Sequence, residues 1–163
     1  MLGIDPGTTG MGYALLGLGS DPPRLLVHGL VLTPRGGSAA EKLLSIANEL
    51  DGLIATHEPE CVAIERLYFN KNVRTAMTVA EARGVALLCA ARAGLPIAEY
   101  TPQEVKQSVT GSGSADKRAV QRMLVHVLEL VEPVTQDNVA DAIAIALTHA
   151  QRVKFTAAVA SAR

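Results

Sequence analysis

The sequence predicts an α/β fold in which a five-stranded mixed sheet is flanked by helices. Three observations predict it: short apolar runs of strand length come first in a set of three, turns too short for helices join them, and helical stretches precede each later run. Composition agrees, since 163 residues that are 48% hydrophobic and 19% charged describe a globular chain and exclude a disordered one. With 3% aromatic residues and no Trp, the core is expected from Leu, Val, Ile and Ala, and the adjacent pair Tyr68 and Phe69 stands out.

Met1 to Asp5 reads as a first strand, closed by the turn Pro6-Gly7-Thr8-Thr9-Gly10, with an extended apolar pattern resuming from Met11 to Leu16. After the Gly/Pro-rich break from Gly17 to Pro23, Arg24 to Leu32 is the third strand of an antiparallel meander. Ser38 to His57 carries Leu43, Ala47, Leu50 and Ile54 at helical spacing, opens with a capping box of Ser38 and Glu41, and ends before Pro59. Glu60 to Glu65 is a buried strand, which that crossover helix makes a parallel neighbour of the first. An Ala-rich helix from Lys71 to Ala93 follows, then a fifth strand from Leu95 to Tyr100 and a short helix from Pro102 to Val109. The segment Thr110 to Ser114 is a Gly/Ser loop, followed by helices from Ala115 to Leu130 and from Asp137 to Val153. Residues 1–154 are expected to form one domain, with 155–163 a frayed tail. This order is the ribonuclease H-like pattern, and other α/β folds are compatible with the same string.

The N-terminus has no basic stretch followed by an apolar run, and no apolar segment approaches the ~20 residues that span a bilayer, so a cytoplasmic protein without a membrane partner is expected. Cys61 and Cys89 sit in apolar runs and read as small buried hydrophobes. The formal net charge of −1 hides a segregation: Arg66 to Arg118 holds eight Lys/Arg against four Asp/Glu, so a basic middle sits in an acidic surround and could focus a polyanion.

Four acids end apolar elements instead of lying on solvated charged faces. Asp5 ends the first strand and Glu65 the fourth, adjoining strand ends in the expected sheet, while Asp137 and Asp141 share one face of the last helix at i,i+4 spacing. Clustered carboxylates raise one another's pKa unless a cation neutralises them. Hard oxygen donors without a Cys/His set point to Mg²⁺, or Mn²⁺ in its place, and two such ions can drive phosphodiester hydrolysis. Each acid alone is also an ordinary turn former or helix cap, as Asp137 would be at the start of its helix. The turn Asp5 to Gly10 admits a second reading, because it resembles the first phosphate loop of the actin, hexokinase and chaperone ATPase superfamily; 163 residues leave no room for that superfamily's two lobes.

Six segments in order are similar to the RuvC-type Holliday-junction resolvases: Leu2-Gly3-Ile4-Asp5-Pro6-Gly7, Ile64-Glu65 with Asn70-Lys71-Asn72, Ala82-Arg83-Gly84, Val105 to Val109, Gly111 to Lys117, and Ala140 to Ala146. The resemblance spans residues 2 to about 150. It implies a homodimeric, metal-dependent endonuclease of ribonuclease H-like fold that makes paired nicks in four-way junction DNA, with two Mg²⁺ per active site. It also brings the branch-migration proteins RuvA and RuvB as candidate partners.

Carried over residue by residue, the resemblance puts Asp5 and Glu65 on the first two catalytic, metal-binding acids and Asp141 on the last. Three residues before Asp141, where it implies another acid, this chain has Asn138. Either a neutral ligand or neighbouring Asp137 serves, or the amide is an inactivating change that permits junction binding without cleavage; restoring Asp at 138 is expected to raise the cleavage rate. Lys106 and Lys117 match two lysines that offset phosphate charge, and Lys71, Arg74 and Arg118 are expected on backbone phosphates. Tyr68 matches an aromatic that stacks on an unpaired base, with Phe69 as the alternative wedge. Paired nicks need two active sites related by a two-fold axis, and the helix from Thr75 to Ala93 is the expected interface through Met77, Ala80, Gly84 and Leu87.

Overall fold

The computed structural model describes residues 1–6, 10–34, 36–66 and 73–161, and for residues 73–75 the backbone only. Strands β1 (Leu2–Asp5), β2 (Met11–Gly17) and β3 (Arg24–Val31) form the antiparallel meander, while β4 (Val62–Glu65) and β5 (Ile97–Tyr100) add to it in parallel. The sheet order is β3-β2-β1-β4-β5. The central pairing sets Leu2 beside Val62 and Ile4 beside Ile64, so β1 and β4 run together and end together.

Alternation along the strands divides the core. Leu2, Ile4, Val62 and Ile64 face α1 (Ala39–His57) and α2 (Val73–Arg92), which meet them with Ile46, Leu50, Ala82, Ala86, Cys89 and Ala90. Ala14, Leu16, Ala63 and Tyr100 face α3 (Pro102–Thr110), α4 (Lys117–Val127) and α5 (Asp137–Ser161). The odd residues of β1 and the carboxylate of Glu65 therefore belong to the α5 face.

Two close approaches seat α5 on the sheet. A Cβ at Gly3 would lie 2.4 Å from the Ala142 carbonyl oxygen, and one at Gly12 would lie 1.9 Å from that of Asn138. Only glycine at these points lets helix backbone rest on strand backbone.

The expected capping box of Ser38 and Glu41 opens α1, and a second one, Thr101 with Glu104, opens α3. Helix α4 is shorter than its expected span: Asp116 caps it by accepting from the Ala119 N–H at 2.7 Å, and Leu128 closes it just before Glu129 at φ 50°. The last helix, expected to end near Val153, continues to Ser161. Nothing in Lys154 to Ser161 breaks a helix, Ala is its best former, and the Thr156 and Ser161 hydroxyls bond carbonyls one turn back. Lys154 also pairs with Asp21. Both cysteines are free, Cys89 buried and Cys61 half-buried, and burial pushes the Cys89 thiol up to about 11.

Candidate active site

Parallel pairing of β1 with β4 delivers Asp5 and Glu65 to the same end of the sheet, on the face that α5 covers. Asp5 is buried, with 7% of its surface exposed, and Glu65 is half-buried. Asp141, one turn inside α5, completes a group of three carboxylates drawn from three elements. Their closeness shows in their acidities. Burial, then the Glu65 and Asp141 charges, push Asp5 up to about 8 against the pull of Lys117. Burial and Asp141 push Glu65 up to about 7, with Lys117 again opposing. Asp141 is raised in the same way, chiefly by burial.

Two ammonium groups face these acids. Lys117, the first residue of α4, places Nζ 3.1 Å from Asp137 Oδ2 and 3.8 Å from Asp141 Oδ2; the bond to Asp137 is the main reason its own pKa rises. Lys106 of α3 joins Glu65, Lys117 and Asp141 around a cavity of about 240 Å³ whose remaining wall is Pro102, Val105, Val120 and Ile145. An apolar wall with carboxylates and ammoniums at one end concentrates field on whatever enters it.

Asn138 occupies the first turn of α5, where its Nδ2 donates to the Gly10 carbonyl at 2.8 Å. Asp137 lies exposed at the rim as the partner of Lys117. Expected side by side in one ligand group, these two residues thus hold different contacts in the structure. All-oxygen donors, three of them carboxylates whose pKa burial raises, suit a hard divalent cation. Among the described residues no three acidic, His or Cys side chains converge closely enough to grip one ion as they stand.

The other expected site residues divide. Tyr68, Phe69 and Lys71 lie outside the described residues, as does the side chain of Arg74; so do Gly7, Thr8 and Thr9 of the phosphate-loop reading. Arg118 is exposed on α4. On α2, Met77 and Gly84 are exposed and Ala80 half-exposed, but Leu87 packs against the α1-side core, and the exposed leucine of that stripe is Leu88. Leu87 therefore does work inside the chain.

Sequence reasoning missed two contributors. Gly12 read as one more strand residue, although its missing Cβ admits α5. Arg83 read only as part of a short motif; in the structure its Nε donates to the Glu65 carbonyl oxygen at 3.0 Å, and its guanidinium pairs with Glu99. No local pattern announces either one.

Comparison with known proteins fits this geometry. The family described as "Crossover junction endodeoxyribonuclease RuvC" matches residues 1–149. The protein of that name from Moorella thermoacetica is 49% identical over 150 residues, covering 92% of this chain and 90% of its own length. That from Heliobacterium modesticaldum is 49% identical over 147 residues, 90% and 91% of the two chains. Among solved structures, Thermus thermophilus RuvC superposes with a TM-score of 0.86 at 35% identity, covering 96% of this chain and 97% of its own. The same protein in complex with Holliday junction substrate gives 0.89 at 35% identity, covering 95% and 94%. The shared fold is ribonuclease H-like, and the nucleases of this family are metal-dependent.

Proposed function

Because the chain belongs to the RuvC family of crossover junction endodeoxyribonucleases, we propose that it resolves four-way DNA junctions by hydrolysing one phosphodiester in each of two opposed strands. The observation that carries this reading is the gathering of buried Asp5 with half-buried Glu65 and Asp141 at one end of the sheet, Glu65 and Asp141 sharing a cavity with Lys106 and Lys117. T. thermophilus RuvC, 35% identical, is known bound to Holliday junction substrate, which supports the same substrate here.

Asp5, Glu65 and Asp141 would hold the divalent cations, with the Asn138 amide oxygen and the rim carboxylate of Asp137 as further oxygen donors. Mg²⁺, or Mn²⁺ in its place, two per site, would supply an activated water and offset charge on the attacking and leaving oxygens. The protein's own contribution is electrostatic and positional. Lys106 and Lys117 present fixed positive charge to the phosphate, where it counts most as negative charge builds in the transition state. The apolar wall of Val105, Val120 and Ile145 keeps the dielectric low beside them.

Substrate grip belongs to Lys71, Arg74 and Arg118 through backbone phosphates, and opening of the junction to Tyr68, with Phe69 as the alternative ring. Two nicks require two copies of the chain, joined along the exposed stripe of α2 through Met77, Ala80, Gly84 and Leu88, with Leu87 behind it. Gly84 supports this: a Cβ there meets nothing within 4 Å, so nothing in its own fold asks for glycine. Action in the cytoplasm, beside the branch-migration proteins RuvA and RuvB, completes the reading; among the described residues no helix is long and apolar enough to cross a membrane.

A labelled synthetic four-way junction tests it. Paired nicks at symmetric positions are expected with Mg²⁺ or Mn²⁺ and none with chelator. Equal cutting of linear duplex would reduce the reading to a general nuclease, and binding without nicking, even after Asn138→Asp, to a junction-binding module.

A further inference from the structure

Glu65 is the last residue of β4, where a strand end is free to fray unless something holds its final peptide. Its neighbour on one side cannot do so. The parallel ladder between β1 and β4 begins with the Leu2 N–H donating to the Cys61 carbonyl at 2.9 Å. Stepping by the strand period of two, the next donors fall at position 4 opposite the Ala63 carbonyl and at position 6 opposite the Glu65 carbonyl. Position 6 is Pro6, which has no N–H to give. On the other side, the Arg66 N–H donates to the Tyr100 carbonyl at 2.7 Å, which holds that peptide's nitrogen but leaves its oxygen, that of Glu65, without a ladder partner.

Arg83 supplies the missing donor. It reaches from α2, on the sheet face opposite the carboxylates, with its side chain only 17% exposed. Nε donates to the Glu65 carbonyl at 3.0 Å while the far end of the guanidinium pairs with Glu99, the β5 residue beside Ile64. Arg66 approaches the same carboxylate at 4.0 Å. One planar fork therefore spans the ends of β4 and β5 with two separate nitrogens, a fixed geometry that the point-like ammonium of lysine does not reproduce.

We infer that Arg83 is a positioning residue for Glu65, replacing from the back of the sheet the ladder bond that Pro6 cannot make, so that the Glu65 carboxylate is presented to the cavity at a fixed angle. The inference rests on the cleavage reading above. It concerns the chemical step and not DNA affinity, because Arg83 lies behind the sheet.

The experiment compares wild type, Arg83→Met and Arg83→Met with Pro6→Ala, reading single-turnover cleavage of a saturating four-way junction, junction Kd and melting temperature. Arg83→Met is expected to cut about 10–100-fold more slowly, as small misplacements of reacting groups do, with Kd within about twofold of wild type. Adding Pro6→Ala supplies an N–H at position 6 and is expected to recover at least about threefold of the rate, which a merely structural arginine would not allow. Wild-type cutting by Arg83→Met, a Kd that weakens in step with the rate, or no recovery with Pro6→Ala each overturns the inference. Should Arg83→Met not fold, Glu99→Gln decides: it unties the outer end of the fork and is expected to slow cutting about threefold or more at unchanged Kd, full speed being the contrary result. A wild-type chain that leaves junctions uncut removes the function reading alone. The ¹⁵N resonance of Arg83 Nε–H then decides, being protected from solvent exchange if it is bonded to Glu65 and exchanging as fast as that of exposed Arg118 if the inference is wrong.

Discussion

Asn138 stands where the likeness to the family implies an acid, and its Nδ2 bond to the Gly10 carbonyl is one a carboxylate cannot make. Replacement by Asp would add charge to the acid group and set an oxygen against an oxygen at the turn. Asn138→Asp is therefore expected to raise the single-turnover rate at saturating junction while costing about 1–2 kcal/mol of stability, read as a melting temperature lower by about 2–4 °C per kcal/mol. A higher rate with no thermal cost would show that the Gly10 bond contributes nothing. The acids Asp5, Glu65 and Asp141 were legible in the sequence because each ends an apolar run, where a solvated charge is out of place. The contacts of Asn138 and Arg83 were not, since both bond to backbone oxygens whose vacancy appears only once strand register is known.

At the scale of elements, α5 depends on what β1 and β2 lack. Gly12→Ala would drive a Cβ into the Asn138 carbonyl, and backbone on both sides leaves nothing flexible to yield. The start of α5 must then lift, carrying Asp141 away from Asp5. A loss of about 1–3 kcal/mol or more is expected, with junction cleavage falling further than stability alone explains; unchanged cleavage would show that α5 tolerates the shift. The meander, the crossover and the capping box of α1 were readable from periodicity and caps. The true end of α5 was not, because an Ala-rich segment carries no stop signal. Helix α2 works on two faces, with Ala82, Ala86 and Cys89 in the core and Met77, at 59% exposure, and Leu88, at 56%, outside. Gly84→Gln should strengthen the isolated helix by about 0.5–1 kcal/mol and yet, if the proposed dimer forms through this face, shift it to monomer in analytical ultracentrifugation. A dimer that survives the change would move the interface elsewhere.

For the whole molecule, the acid cluster ties stability to pH and to cations. Asp5, raised from 3.8 to about 8, and Glu65, raised from 4.5 to about 7, bind protons more tightly folded than unfolded. Their contribution is fully present below about pH 4 and is lost as pH rises through 7 to 8, so metal-free protein should melt at progressively lower temperature across that interval. Mg²⁺ or Mn²⁺ should restore most of the loss at pH 8 and little at pH 5; a melting temperature indifferent to both would mean that the carboxylates do not meet a cation. The three acids proposed to hold the cations come from the first strand, the middle of the chain and the last helix, so no two neighbours in sequence can assemble the proposed cutting centre. If the proposed assignment holds, a chain still emerging from the ribosome or partly melted has no assembled blade, because the blade exists only once β1, β4 and α5 have come together.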